Sequence, residues 1–226
     1  QMRNFGLSYI EDKSGHFILS PRCAPSPETA FVEGDWSQAA VLLCLSALGG
    51  KVCVANLDEN SVQGDKQVVK VLEAMGLQQL TNGEMIMLRP ENFPLKPVEV
   101  DCTSIPDIAP ILALALSRAP GESILRGVNR LTIKESDRLT ATVETLAQLG
   151  TTVTDEDNND VMHVFGGNPL RGGFEADARG DHRLVMLLAA AASAADGSIT
   201  VHGVESITKS WPGFFDTIKS LGGIIS

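Results

Sequence analysis

The 226-residue sequence is poor in several features that mark common protein classes. Positive charge is scarce: 18 Lys and Arg against 28 Asp and Glu leave a formal net charge of −10. A chain that grips nucleic acid needs a basic face to replace phosphate counterions, so no nucleic acid partner is expected. An acidic average still permits an anionic small substrate, because a few local cations dominate a cleft. Cysteine is sparse too. Cys23, Cys44, Cys53 and Cys102 form no C-x-x-C pair and no Cys/His cluster with zinc spacing, so neither a metal site nor a disulfide framework is expected. Cys44 and Cys53 stand in apolar runs and are read as small core residues. This usage suits a reducing, cytoplasmic setting. Long hydrophobic runs are also missing. The longest, residues 184–195, is Ala-rich and too short to cross a bilayer, so it is read as a buried helix and no membrane association is expected. No signal peptide is visible, and Gln1 in place of an initiator Met suggests a missing upstream segment. Aromatics make up only 5% of the chain; Trp36 and Trp211 are read as packing residues near helix starts, not as a cofactor box.

What the sequence does contain is a threefold recurrence. Asp35, Asp107 and Asp181, spaced by 72 and 74 residues, each precede a strongly apolar helical stretch: 39–48, 108–116 and 184–194. A short strand follows each, at 51–55, 123–125 and 198–201. A second, amphipathic helix then runs over 66–75, 136–149 and 212–221. These second helices stop at Gly76, Gly150 and Gly222, which suit the C′ position where φ is positive. Hairpin signals follow the first two stops: 77–88 around Asn82-Gly83, and 151–165 around the polar run 155–160. The chain start reads alike, with Phe5-Gly6 as a helix stop and 7–19 turning over Ser14-Gly15.

The expected fold class is therefore α/β, with pseudo-threefold symmetry, Ala-rich helices inside and sheets outside. Three βαβαββ units are expected at about 27–100, 101–172 and 173–226. Residues 1–26 are expected to be the remnant of a preceding unit or second domain, with 21–27 as a linker.

The candidate chemistry lies at helix openings. Lys134-Glu135-Ser136-Asp137-Arg138 places four charges where an apolar strand gives way to an apolar helix face. Ser136 or Asp137 can cap the helix. A cap does not require Lys and Arg at the positive end of a helix dipole, where cations cost free energy. A helix N-terminus supplied with both is an anion site, suited to phosphate or carboxylate. Equivalent positions of a repeat should converge at one end of the domain. Asp107, the Lys134 segment and Arg183 are thus expected to meet, with Lys209 at the place matching Lys134 and Pro212 at the first position of the last helix. Asp107 and Asp181 also read simply as N-caps, because Asp is a preferred capping residue. His16, His163 and His202 are read as surface or edge residues.

Lys134-Glu135-Ser136-Asp137-Arg138-Leu139, Asp181-His182-Arg183 and Lys209-Ser210-Trp211-Pro212, in this order and spacing, resemble the C-terminal signature of the 5-enolpyruvylshikimate-3-phosphate synthases. Gly34-Asp35-Trp36-Ser37-Gln38-Ala39-Ala40 and Ile105-Pro106-Asp107 match as well. The resemblance covers essentially the whole chain and implies the inside-out α/β barrel domain of the enolpyruvyl transferases. It implies transfer of the enolpyruvyl group from phosphoenolpyruvate to the 5-hydroxyl of shikimate 3-phosphate. Asp107 would be the base at the hydroxyl, and Glu135 the acid at the methylene carbon. Lys134 would touch the 3-phosphate; Arg138, Arg183 and Lys209 would hold the phosphoenolpyruvate anions; His182 would neighbour the site. The resemblance implies no cofactor and no metal, a monomer, and an N-terminal domain completing the cleft. The family's glycine-lysine-serine segment is absent, so this chain alone is expected to turn over nothing. Arg130, where some members place an amide, receives no role. A UDP-N-acetylglucosamine enolpyruvyl transferase, an RNA 3′-phosphate cyclase and a non-catalytic scaffold of the same fold are the alternatives.

Overall fold

The computed structural model describes residues 8–19, 28–81, 85–91, 93–156 and 158–226. Expectations for Phe5-Gly6, Cys23, the 21–27 linker and the Asn82-Gly83 turn fall outside these residues. The chain divides into two compact units, up to Glu33 and from Gly34 onward. In the first, β1 (Tyr9–Glu11) and β2 (Phe17–Leu19) pair antiparallel, with Gly15 at φ +80° in the turn between them.

The second unit holds the recurrence. Its apolar helices are α1 (Trp36–Cys44), α3 (Ala109–Leu116) and α5 (His182–Ala192). Every residue of α3 is buried. A helix without a polar face must lie inside, and α3 packs against both α1 and α5, which also touch each other. Ala109, Ala113 and Ala115 of α3, with Ala190 and Ala191 of α5, are small enough to let the helices approach closely. Leu112, Leu114 and Leu116 are fully buried, each stabilising the core by about 1.5–3 kcal/mol.

The second helices are α2 (Val68–Ala74), α4 (Arg138–Gln148) and α6 (Phe214–Ser220). In α4 the buried residues Arg138, Leu139, Ala141, Thr142, Thr145 and Leu146 follow helical spacing and form one inward face. Gly76, Gly150 and Gly222 have φ of +101°, +86° and +96°, the left-handed geometry that ends each second helix. Pro212 lies in the turn before α6, which is preceded by Gly213 at the cap position, so it is not the first helical residue expected.

The sheets form around these helices. β3 (Cys53–Ala55), β4 (Leu77–Thr81) and β5 (Met85–Pro90) make a three-stranded sheet ordered β3-β5-β4. β6 (Glu99–Asp101), β7 (Gly121–Arg126), β8 (Thr152–Glu156) and β9 (Val161–Gly166) make a four-stranded sheet ordered β6-β7-β9-β8, with only β6 and β7 parallel. β10 (Phe174–Asp177) and β11 (Ile199–His202) pair in parallel. Among the described residues this four-stranded sheet is the largest of the unit. Cys44 and Cys102 are buried, but Cys53 is exposed: it stands on the outward face of the short strand β3, where an apolar run does not imply burial. His163 sits in the inner strand β9, half-buried, rather than at an edge.

Candidate active site

The helix openings of the second unit bring charged side chains to a common cluster. Its hub is Arg138, the first residue of α4, whose side chain is only 1% exposed. Asp137 caps the helix through Thr140 N–H at 3.1 Å. The helix therefore starts at Arg138, two residues later than the 136–149 span expected, and Ser136 precedes it together with Lys134 and Glu135.

Arg138 Nε and Nη2 donate to the two oxygens of Asp181 at 2.9 and 3.2 Å. Nη1 donates to Asp107 Oδ1 at 3.2 Å, and Nη2 also reaches Glu135 Oε2. One buried cation thereby gathers three carboxylates from three helix openings. Lys134 Nζ donates to the same Asp107 oxygen at 3.0 Å, and Arg183 Nη2 lies 3.9 Å from the other. Asp107 does not cap α3; it lies in the single 3-10 turn Pro106–Ile108, and its carboxylate faces the cations instead.

Asp181 is fully buried. It caps α5 by accepting from Arg183 N–H at 2.8 Å and also accepts from Ser136 Oγ at 3.0 Å. Burial alone would raise its pKa, but the Arg138 hydrogen bonds and charge, the Arg183 amide and Ser136 outweigh that and lower it. Asp107 behaves alike: burial raises it, and the Lys134 hydrogen bond with the charges of Arg183, Lys134 and Arg138 brings it below the usual carboxylate range. Both are anions at neutral pH.

Two groups retain open polar atoms. The Arg183 side chain is 11% exposed, and its Nε and Nη1 have no hydrogen-bond partner among the described residues. A buried guanidinium with unmade bonds is costly unless a ligand completes them. His182, also buried, has an unpartnered Nδ1. Burial first, and then Arg183, lowers its pKa, while Asp181 and Glu135 oppose the shift, so the ring is neutral at pH 7. Lys209 ends the 3-10 segment Val204–Lys209 and is exposed; its Nζ donates to Gly180 O at 3.1 Å, beside the opening of α5. The sequence-predicted Asp107, Lys134, Glu135, Arg138, Arg183 and His182 are thus brought together, with Lys209 at their margin.

Asp65 was not foreseen. It lies in the 3-10 turn Gly64–Gln67 ahead of α2, accepts a hydrogen bond from Ser37 Oγ, and feels the charges of Arg183 and Asp107. Burial raises its pKa. The available signal was its place at the opening of the first repeat's second helix. Among the described residues no group of three or more His, Cys, Asp or Glu is arranged to hold a metal ion. No helix among them is long and apolar enough to cross a membrane.

This arrangement can bind a multiply charged anion through Arg183, Lys134 and Lys209. It also sets two carboxyls, Asp107 and Glu135, on different nitrogens of one guanidinium. Comparisons with known proteins identify the family and the fold. A family model described as EPSP synthase (3-phosphoshikimate 1-carboxyvinyltransferase) matches residues 1–218. The 3-phosphoshikimate 1-carboxyvinyltransferase of Clostridium botulinum (strain Eklund 17B / Type B) is 35% identical over 224 residues, covering 98% of this chain and 51% of its own length. That of Aeropyrum pernix is 36% identical over 211 residues, covering 93% and 48%. The chain spans about half the length of the curated relatives it matches. Among solved structures, an EPSP synthase from Acinetobacter baumannii superposes with a TM-score of 0.80 at 23% identity, over 100% of this chain and 54% of that one. The enolpyruvyl transferase NikO from Streptomyces tendae gives 0.75 at 20% identity, over 100% and 52%. These two likenesses show the α/β enolpyruvyl-transferase fold.

Proposed function

The chain belongs to the EPSP synthase family, and from that premise we propose that it supplies half of a 3-phosphoshikimate 1-carboxyvinyltransferase. The reaction moves the enolpyruvyl group of phosphoenolpyruvate to the 5-hydroxyl of shikimate 3-phosphate and releases phosphate. The observation that carries this reading is the buried Arg138 guanidinium holding Asp107 and Glu135 on separate nitrogens beside the open donors of Arg183.

In this scheme Asp107 accepts the proton of the attacking hydroxyl while its oxygen bonds to C2 of phosphoenolpyruvate. Glu135 gives a proton to C3, and a tetrahedral intermediate results. Return of a C3 proton to Glu135 and cleavage of the C2–O bond to phosphate then yield the enol ether. The Asp107 proton leaves with phosphate, so acid and base are restored. Lys134 meets the 3-phosphate. Arg183, Lys209 and Arg138 meet the phosphoenolpyruvate anions through charge-assisted bonds. His182 neighbours them. In the unliganded site Asp107 and Glu135 occupy Arg138. Incoming anions compete for those nitrogens and for Lys134, which loosens both acids and raises the basicity of Asp107 when it is needed.

Residues 1–26 belong, on this reading, to a preceding unit or domain, and 27–226 carry the three repeats at about 27–100, 101–172 and 173–226. The partners are the two small substrates and the N-terminal domain of the same protein; the holoprotein is a cytoplasmic monomer. These 226 residues by themselves release no phosphate. The test is an assay of the full-length parent for inorganic phosphate with each substrate alone and with both. Release that requires both supports the reading. Release with UDP-N-acetylglucosamine as the acceptor, or with neither, contradicts it.

A further inference from the structure

We infer that Gln38 is a positioning residue for Lys209, an inference that rests on the proposed role of Lys209 toward phosphoenolpyruvate. Gln38 lies in the first turn of α1, in a different repeat from Lys209. Asp35 caps that helix by accepting from the backbone N–H of Ser37 at 2.8 Å and of Gln38 at 3.2 Å. The Gln38 backbone donor is thereby satisfied, and its side chain extends away from the helix. Its Nε2 donates to the carbonyl of Ser210 at 2.9 Å, a contact spanning 172 residues of sequence.

Ser210 follows Lys209 directly and caps the 3-10 segment. The amides on either side of the Ser210 Cα are already committed: Ser210 N–H donates to Ile207 O at 3.1 Å and Trp211 N–H to the same oxygen at 2.8 Å. Gln38 thus holds the carbonyl of the peptide that joins Ser210 to Trp211, one residue past Lys209. At its other end Lys209 is tied by Nζ to Gly180 O at 3.1 Å. A lysine ammonium is a point charge on a flexible four-carbon stem, so the backbone beneath it largely decides where the charge can stand. Without the Gln38 bond, the part-buried carbonyl loses its partner and the turn is free to shift. The ammonium then spends less of its time where an anion beside Arg183 would meet it. The carboxamide also sets the length: its reach from α1 spans the gap between the first and third repeats.

The experiment is a double-mutant cycle in the full-length parent, reading KM for phosphoenolpyruvate and kcat. Gln38→Met keeps length and packing without a donor, and Gln38→Ala serves if Gln38→Met does not fold. The single variant is expected to raise KM about three- to tenfold, the effect of one lost hydrogen bond, with kcat within about twofold. In a Lys209→Ala background the same substitution is expected to change KM by less than about twofold, because its effect passes through Lys209. An unchanged KM in the single variant overturns the inference. So does an equal rise in both backgrounds, which would mark Gln38 as a general staple between repeats. If Lys209→Ala alone leaves KM unchanged, the assigned role of Lys209 fails first and the inference falls with it. These outcomes are distinct from loss of phosphate release with both substrates present, which would count against the enzymatic reading itself.

Discussion

Arg138 and Asp181 form a buried two-point pair, Nε to Oδ2 at 2.9 Å and Nη2 to Oδ1 at 3.2 Å, with both side chains at or below 1% exposure. This pair joins the second helix of the middle repeat to the first helix of the last. It also orients Nη1 toward Asp107 and the shared Nη2 toward Glu135.

Removing one member of such a pair strands a charge in the interior. Asp181→Ala is expected to lower unfolding free energy by about 3–5 kcal/mol. Glu135→Ala, whose side chain is 43% exposed, is expected to cost at most about 1 kcal/mol. Urea unfolding of the two variants beside the parent checks the ranking.

Acid should weaken the fold in two stages. The folded pKa of His182 lies below the ordinary 6.5, so the unfolded chain takes up the proton first. Its contribution is complete above about pH 6.5 and is lost as pH falls through the lower folded value. Asp107 and Asp181 have the same sign, with losses beginning below their ordinary 3.8. A His182→Gln variant should flatten the first stage and leave the second, as read by melting temperature between pH 7 and pH 3.

Much of this architecture is legible in the sequence, for physical reasons. Asp35 and Asp181 stand before apolar helical runs, and both are N-caps. Asp107 occupies the matching position but is not one, because Pro106 starts a 3-10 turn that carries it past the cap. The glycine stops were visible because the left-handed conformation is local chemistry. Strands β6 and β10 were not: each pairs in parallel with a strand reached through a helix, so no hairpin turn marks it. In the site, the charged block announced Lys134 through Arg138, whereas Asp65 was marked only by its place at the opening of a repeat's second helix. Its tie to the site is a field from Arg183, more than a hundred positions away.

The thiols offer an independent check on burial. Among the described cysteines, Cys53 is exposed, while burial raises the Cys44 pKa strongly and pushes Cys102 up to about 12. A thiol reagent at pH 8 should modify Cys53 in native protein and leave Cys44 and Cys102 untouched until denaturant is added, as read by peptide mass mapping.

Arg183 brings the unsatisfied donors, so its loss should act on binding. In the full-length parent, Arg183→Ala is expected to raise KM for phosphoenolpyruvate by about 10- to 100-fold, the weight of one or two charge-assisted hydrogen bonds. Steady-state kinetics at fixed shikimate 3-phosphate measures it.

The most direct test of the central claim, that Asp107 and Glu135 on one guanidinium serve as base and acid, is the kcat for phosphate release by Asp107→Asn and Glu135→Gln in the full-length parent. A fall of about 10²- to 10⁴-fold in each, with KM for both substrates within a few-fold, is the predicted result. Turnover within about tenfold of the parent for either variant would contradict it.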